Sequence, residues 1–209
     1  MIILVTGAGG PTGQAVSGYF RKLGHTVIGV DKQDVDLLDR AAVQDLAARI
    51  DREHGRVDGV VHLVGGWRGS GSFAETSLDD WNLLHDLLIR TLQHVSLAFE
   101  PLLRRSENGR FVIVSAKAAQ SPSAGGAAYA AAKAAAEAWT LSLADALAGT
   151  GGAATILVVK ALVNDAMRAD RPEARFPGFT DVNDLAAAIG GLYDRPAAQI
   201  NGTRLDLTS

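Results

Sequence analysis

Cysteine is absent from the sequence, and this absence removes several classes of function at once. The chain can form no disulfide, no thiolate metal site and no cysteine nucleophile. Its few histidines form no pair at the spacing of metal ligands, so we expect no bound metal. We expect each of them to lie on the surface of a strand or helix: His25, His54, His62, His85 and His94.

Excess positive charge and long apolar runs are lacking as well. The formal net charge is −3 and the isoelectric point is about 5.9, so nothing predicts a nucleic-acid or membrane partner. No apolar run approaches the roughly 20 residues that a membrane span requires, and the run at residues 1–5 is too short for a signal peptide. We therefore expect a cytoplasmic protein that acts on a small molecule.

The sequence does contain a regular alternation of β-branched runs and Ala/Leu-rich helical stretches. We predict strands at residues 2–6, 25–30, 34–37, 57–64, 110–115, 153–159 and 203–207. We predict helices at residues 12–23, 40–53, 78–105, 127–148 and 182–194. This rhythm predicts an α/β fold, a Rossmann-type doubly wound parallel sheet in three α/β/α layers, as a single domain over residues 1–209.

Two connections, residues 65–77 and 160–180, are longer than is usual between elements of such a fold. Both follow predicted strands, and ligands of open α/β sheets bind beyond the carboxyl ends of the strands. We expect these two loops to form the walls of a substrate site.

A glycine-rich turn joins the first predicted strand to the first helix. Glycine allows a tight turn and a close approach of the backbone to a pyrophosphate, whose charge the helix N-terminus then receives. The residues that we expect to hold a dinucleotide there are Gly7, Gly10, Pro11, Thr12 and Gly13.

Asp31 ends the second predicted strand, at the distance from the glycine turn that suits a residue binding the ribose hydroxyls. Its carboxylate would repel a 2′-phosphate, which favours NAD over NADP, although the neighbouring Lys32 could reduce that repulsion. Asp36 and Leu37 are predicted to lie beside the adenine. The alternative for Asp36 is a turn or helix-capping role.

Tyr129 and Lys133 stand four residues apart on a predicted helix, which places both side chains on one face. A free tyrosine is a poor acid at neutral pH, but a neighbouring ammonium stabilises the phenolate. We therefore expect Lys133 to lower the pKa of Tyr129. The pair follows the strand predicted at residues 110–115, which favours a catalytic role over an exposed helix pair.

With these motifs the chain resembles the short-chain dehydrogenase/reductase family along essentially its whole length. Residues 57–66 occupy the position of the family's Asn-Asn-Ala-Gly segment, and Trp81 and Pro101 match its Trp…Pro pair. The resemblance implies a nicotinamide cofactor contacted by residues 64–66, with Tyr129 as proton donor and Lys133 holding the nicotinamide ribose. The three residues of that segment are Val64, Gly65 and Gly66.

The chain departs from the family at two expected active-site positions. Counting from Tyr129 places the catalytic serine at Ala116, and counting from the Trp…Pro pair places the asparagine at Leu88. Ser115 adjoins Ala116, but neighbouring side chains on a strand point to opposite faces. We expect Ala116 to face the substrate and Ser115 to face away, although Ser115 could substitute for the missing serine.

Dihydropteridine reductases, which also carry alanine at the serine position, resemble the chain locally. They share the strings that appear here at residues 64–67 and 116–119. A quinonoid dihydropterin accepts hydride without strong carbonyl polarisation, and Trp67 could flank such a flat ring. The alternative for Trp67 is a loop residue that seals the end of the sheet.

The sequence thus predicts an NAD(H)-dependent oxidoreductase that transfers hydride to a small cyclic, conjugated or carbonyl substrate. The alternative is a catalytically degenerate NAD(P)-binding protein that acts as a sensor or subunit partner. Small residues on the helix of Tyr129 also predict a homodimer or homotetramer, because they permit close packing against a symmetry mate. These residues are Ala132, Ala135 and Ala136.

Overall fold

The computed structural model describes residues 1–208, so Ser209, the last residue of the predicted domain, lies outside the described residues. Its strands are β1 (Ile2–Thr6), β2 (Thr26–Val30), β3 (Gly59–His62), β4 (Arg110–Ala116), β5 (Ala153–Val159), β6 (Leu162–Val163), β7 (Thr180–Asp181) and β8 (Arg204–Asp206). Its α-helices are α1 (Pro11–Lys22), α2 (Arg40–His54), α3 (Leu78–His85), α4 (Thr91–Arg104), α5 (Ala127–Leu147), α6 (Asp165–Asp170), α7 (Val182–Gly190) and α8 (Ala197–Ile200).

Six parallel strands form the main sheet in the order β2-β1-β3-β4-β5-β8. The chain leaves β1 toward β2 and then crosses back to place β3 on the other side of β1. This reversal of direction opens a crevice at the carboxyl ends of β1 and β3, where α/β sheets bind their ligands. The predicted α/β fold with a doubly wound parallel sheet is confirmed.

Each face of the sheet is covered by helices, because alternate strand residues point to opposite sides. On one face, Leu4 and Phe111 pack in a cluster with residues of α2, α4 and α5. On the other face, Ile3 and Val112 pack with residues of α1 and α7. All four side chains are fully buried, as strands with near-continuous apolar sequences require.

The prediction of a strand at residues 34–37 is wrong, because this segment forms turns after the end of β2. Aspartate side chains compete with strand pairing by bonding to nearby backbone groups. The Asp34 carboxylate accepts a hydrogen bond from the Asp31 amide at 2.9 Å, and the Asp36 carboxylate accepts one from the Leu38 amide at 3.0 Å. Leu37 is buried and anchors the segment to the core.

The helix predicted at residues 78–105 is interrupted. A π-helical turn, Asp86–Arg90, separates α3 from α4, and the Thr91 amide bonds to the Asp86 carbonyl five residues earlier. The connection predicted as a loop at residues 160–180 contains β6, α6 and β7, and residues 65–77 contain a short 3₁₀ turn, Phe73–Glu75. Further 3₁₀ turns are Lys117–Ala119, Ala124–Gly126 and Gly191–Asp194.

The small residues predicted to face a symmetry mate lie mostly inside the protomer. Ala132 and Ala136 are buried in the chain's own core, and Ala135 is partly buried. That part of the prediction is wrong, because the Ala-rich face of α5 packs against α3, α4 and the sheet. Within residues 1–208 no helix combines the length and the apolar character that crossing a membrane requires.

Candidate active site

Two adjoining cavities lie at the carboxyl ends of the strands. The larger, of about 800 Å³, opens beyond β3, β4 and β5, and the smaller, of about 320 Å³, lies beside the ends of β1 and β2. Leu63, Val64 and Gly65 line both cavities, so these residues form the ridge between them. Together the two cavities make one elongated cleft across the switch point of the sheet.

The predicted site residues divide between the two cavities. The larger is lined by Thr12, Val64, Gly65, Gly66, Trp67, Ser115, Ala116, Tyr129 and Lys133. The smaller is lined by Gly7, Gly10, Asp31, Asp36, Leu37, Val64 and Gly65. Pro11 and Gly13 line neither cavity.

The glycine turn is shaped by contacts that leave no room for side chains. Gly7 has φ +72°, a left-handed conformation that favours glycine. A Cβ on Gly13 would lie 2.2 Å from the Gly7 carbonyl oxygen, so only glycine lets α1 start this close to β1. No side chain caps α1 at Gly10, and Pro11 occupies its first turn. The remaining first-turn N–H groups are therefore free for an anion, which fits a dinucleotide pyrophosphate.

The Asp31 carboxylate lies over the glycine turn. One oxygen accepts a hydrogen bond from the Lys32 amide at 2.9 Å, and a Cβ on Gly9 would come within 2.0 Å of the other. Lys32 and Asp36 line the same small cavity. The cavity therefore has one carboxylate facing the turn and a lysine beside it, an arrangement that suits ribose hydroxyls.

Tyr129 and Lys133 lie on the first two turns of α5, on the wall of the larger cavity. The Lys133 ammonium donates a hydrogen bond to the Val114 carbonyl at 2.8 Å and lies 5.8 Å from the centre of the Tyr129 ring. Burial lowers the pKa of Lys133 to about 8, an effect opposed by the charge of Glu137.

The expectation that Lys133 lowers the pKa of Tyr129 is wrong for this structure. Burial of the phenol raises the pKa of Tyr129, because a buried site favours the uncharged form. The lysine is bonded to the Val114 carbonyl rather than to the phenol, so its effect does not offset that of burial. At neutral pH Tyr129 is therefore protonated and able to donate a proton.

Ser115 and Ala116 end β4 at the cavity wall. The Ser115 hydroxyl donates to a carboxylate oxygen of Glu137 on α5, and both residues are buried. The only proton of this hydroxyl is therefore used in a hydrogen bond to α5. Ala116 supplies only a methyl group to the cavity. No serine hydroxyl stands at the position where the family carries one.

Leu88 occupies the π-helical turn, at the position expected for the family's asparagine. It is buried in an apolar cluster with Ala132, and its Cδ2 atom lies 3.5 Å from where a Cβ on Gly65 would stand. The site therefore places a hydrocarbon surface behind the ridge of the cleft, where the family pattern has an amide.

His62 is buried and lines the larger cavity. The prediction that it lies on the surface of a strand or helix is therefore wrong. The imidazole is buried between two threonines, with Nδ1 2.8 Å from the Thr6 hydroxyl oxygen and Nε2 3.3 Å from that of Thr91. The Thr91 hydroxyl donates to the Leu87 carbonyl, so it accepts from Nε2–H, while Thr6 donates to Nδ1. Burial lowers the pKa of His62 to about 3, which keeps the ring neutral.

The two long connections both contribute to the larger cavity, as the sequence suggested. Trp67 stands at its mouth with 64% of its surface exposed. The Ser70 amide donates to the Gly125 carbonyl at 2.8 Å, which ties this wall to the start of α5. Lys160 lines the opposite wall and donates to the Pro177 carbonyl at 3.0 Å. Sequence reasoning singled out neither Ser70 nor Lys160, since isolated Ser and Lys carry no motif.

Comparison with known proteins gives the family. A family model described as short chain dehydrogenase matches residues 30–175. The 2,3-dihydro-2,3-dihydroxybenzoate dehydrogenase of Escherichia coli (strain K12) is 29% identical over 223 residues, covering 99% of this chain and 89% of its own. The NADP-dependent 3-hydroxy acid dehydrogenase YdfG of the same organism is 27% identical over 168 residues, covering 72% and 68%.

Solved structures of dehydrogenases have the same fold as this chain. A short chain dehydrogenase from Burkholderia cenocepacia J2315 in complex with NADP is 25% identical with a TM-score of 0.78, covering 98% of this chain and 94% of its own. An NAD⁺-bound xylitol dehydrogenase has the same fold, with a TM-score of 0.81 at 17% identity, covering 98% and 96%. The chain belongs to the short chain dehydrogenase family and is an NAD(P)-dependent oxidoreductase.

Proposed function

We propose that the chain transfers hydride between a nicotinamide dinucleotide and a small cyclic, conjugated or carbonyl substrate, with Tyr129 as the proton donor. The observation that carries this proposal is the position of Tyr129 and Lys133 on the wall of a cavity that continues into the glycine turn. When bound, the dinucleotide supplies the hydride, and the chain's own residues supply the proton and the binding surface.

The glycine turn, Asp31, Lys133 and Tyr129 each have a role in this proposal. The free amides of the first turn of α1 bind the pyrophosphate, and Asp31 binds the adenosine ribose. Lys133 binds the nicotinamide ribose and lies beside Tyr129, whose protonated phenol donates to the reduced substrate. Ala116 and Leu88 offer no hydrogen bond, so the substrate is one that needs little polarisation of a carbonyl oxygen.

The absence of those two polar groups favours a substrate that accepts hydride readily. A quinonoid dihydropterin, as used by dihydropteridine reductases, is such an acceptor. Trp67 stands exposed at the cavity mouth, and its indole could stack on a flat ring. This substrate is our first candidate.

A carboxylate-bearing substrate is the second candidate. Lys160 and Lys133 are the charged side chains that line the larger cavity, and no carboxylate lines it among residues 1–208. Lys160 uses one of its three N–H donors on Pro177 and has others for an anion. Two relatives are named for substrates that are acids, a 3-hydroxy acid and a dihydroxybenzoate derivative.

The experiment is a cofactor-oxidation assay with NADH and with NADPH over one substrate panel. The panel contains a quinonoid dihydropterin, a quinone, neutral ketones and aldehydes, and 3-oxo acids. Turnover of the pterin or quinone favours the first candidate. Turnover restricted to the acids, lost in Lys160→Met and kept in the exposed-lysine control Lys22→Met, favours the second. Turnover that survives in Tyr129→Phe would contradict the assignment of the proton donor.

A further inference from the structure

A buried polar network lies directly behind the proposed catalytic pair. The Glu137 carboxylate, 7% exposed, accepts a hydrogen bond from the Ser115 hydroxyl of β4. It also pairs with Arg204 of β8, at 2.9 Å from Nε to one oxygen and 3.1 Å from a terminal nitrogen to the other. The proposed chemistry gives none of these three residues a task.

The network is linked to Lys133 by position. Glu137 follows Lys133 by one turn of α5, so the two side chains lie on the same face. Lys133 bonds to the Val114 carbonyl, and Glu137 bonds to the hydroxyl of the next residue, Ser115. Two successive turns of α5 are therefore fastened to two successive residues of β4.

The charges around Lys133 make the carboxylate important. Tyr129 is protonated and His62 is neutral, so neither supplies a negative charge. Arg204 lies on β8 and is paired with Glu137. Of these groups Glu137 alone is an anion, and its charge raises the pKa of Lys133 against the effect of burial.

We propose that Glu137 is a positioning residue: held by Ser115 and Arg204, it fastens to β4 the turn of α5 that follows Lys133, and it places a negative charge next to the lysine on the same helix face. This inference rests on the proposed function. It explains why the Ser115 hydroxyl turns away from the substrate: the hydroxyl holds the carboxylate that supports the lysine. It also gives β8 a part in the active site, because β8 supplies the arginine of the network.

The first test is the pH profile of kcat/KM. Lys133 is charged below its pKa of about 8, so activity is expected to fall as the pH rises through that value. In Glu137→Gln the amine loses its stabilising charge, so the alkaline limb should move to lower pH by about half a unit or more. Glu137→Asp keeps the charge, so its alkaline limb should lie close to the pH at which activity falls in the unchanged protein. Glu53→Gln, an exposed residue of α2, removes the same charge far from the site and should leave the profile unchanged.

Two further variants separate the charge from the packing. Ser115→Ala breaks one bond of the network but keeps the carboxylate, so the unfolding temperature should fall while the alkaline limb stays in place. Should Glu137→Gln fail to fold because Arg204 is left unpaired, Glu137→Gln/Arg204→Gln replaces the ion pair by two amides. The limb should still move to lower pH, because the carboxylate is the charge that raises the pKa of Lys133.

A second readout needs no substrate. The rate at which acetic anhydride labels Lys133, followed by peptide mass spectrometry, reports the fraction of free amine at each pH. The midpoint for Lys133 should shift downward in Glu137→Gln, while that of the exposed Lys22 should not. Unchanged labelling and an unchanged limb in Glu137→Gln would overturn the inference. A shifted midpoint in a protein that turns over no substrate would instead contradict the proposed function alone.

Discussion

Tyr129 and Lys133 lie one turn apart on the same helix, and burial shifts their pKa values in opposite directions. The uncharged phenol is favoured, so the pKa of Tyr129 rises. The uncharged amine is also favoured, so the pKa of Lys133 falls to about 8. Near pH 7 the free protein therefore presents an O–H group and an ammonium. This is the protonation state that delivers a proton in the reducing direction.

Replacing Tyr129 by phenylalanine should remove the proton donor and little else. We expect the turnover rate to fall by about 10²-fold or more, the usual scale for lost general acid catalysis. NAD(P)H affinity, measured by fluorescence titration, should stay nearly unchanged because the ring remains. Tyr19→Phe, which removes a hydroxyl on α1, is the matched control and should keep full activity. An unchanged rate in Tyr129→Phe would assign the proton to another group.

The Asp31 carboxylate should set the cofactor preference. We expect NADH to bind at least about ten-fold more tightly than NADPH, or about 1.4 kcal/mol, since a 2′-phosphate would meet this charge. Asp31→Asn should reduce that ratio, and Asp45→Asn, an exposed residue of α2, should not. Both affinities are measured at one ionic strength. Equal affinities in the unchanged protein would contradict this prediction and point to neutralisation of the carboxylate by the neighbouring Lys32.

At the scale of elements, side-chain hydrogen bonds join the end of the π-helical turn to the sheet. The Thr91 hydroxyl donates to the Leu87 carbonyl at 2.7 Å and accepts from His62 at 3.3 Å. The Thr6 hydroxyl completes the chain on the other side of the imidazole. One hydrogen-bonded series thus connects β1, β3 and the start of α4 beneath the cleft.

Thr91→Val should break this series while keeping the shape of the side chain. The Leu87 carbonyl would lose this donor and the buried Nε2–H of His62 would lose its acceptor, so we expect a loss of about 1–3 kcal/mol in the free energy of unfolding. Thr91→Ser keeps the hydroxyl and should lose less. Urea denaturation followed by circular dichroism measures both. A larger loss in Thr91→Ser than in Thr91→Val would mean that packing of the methyl group, rather than the hydrogen bonds, stabilises the turn.

The elements that the sequence predicts well are those with strong periodicity. The strands at residues 2–6 and 153–159 and the helix at 40–53 agree closely with β1, β5 and α2, because their apolar spacing reports burial directly. Apolar spacing does not reveal the π-helical turn, because this turn differs from an α-helix only in that its N–H groups bond to carbonyls five residues earlier instead of four. The absence of a strand at residues 34–37 depends on aspartate side chains that bond locally.

The residues of the candidate site also divide into those that the sequence predicts and those that it does not. Glycine spacing and the Tyr129–Lys133 pair are local patterns, and the structure brings both to one cleft. His62 and Glu137 are recognisable only in three dimensions, because their partners lie on other elements. An apolar run such as β3 gives no sign that its histidine bonds to two threonines.

At the scale of the whole molecule, α4 and α5 pack against each other, and each helix exposes a leucine. Trp139 of α5 donates a hydrogen bond to Ser96 of α4 at 2.8 Å, which joins the two helices. Leu97 adjoins Ser96 and is 55% exposed, and Leu141 lies two residues beyond Trp139 and is 42% exposed. This surface, rather than the buried alanines of α5, is the part of the helix pair that a second copy could cover.

We therefore expect a homodimer or homotetramer that packs through Leu97 and Leu141, since a two-fold interface brings the same patch of each copy together. Light scattering at micromolar concentration should give two or four times the chain mass of 21.8 kDa. Leu97→Asp/Leu141→Asp should lower the mass toward that of one chain, because buried like charges oppose the contact. Leu23→Asp, at an equally exposed leucine beyond α1, should leave the assembly intact. A mass of 21.8 kDa for the unchanged protein would exclude the oligomer, and an intact assembly in the double variant would move the interface to another face.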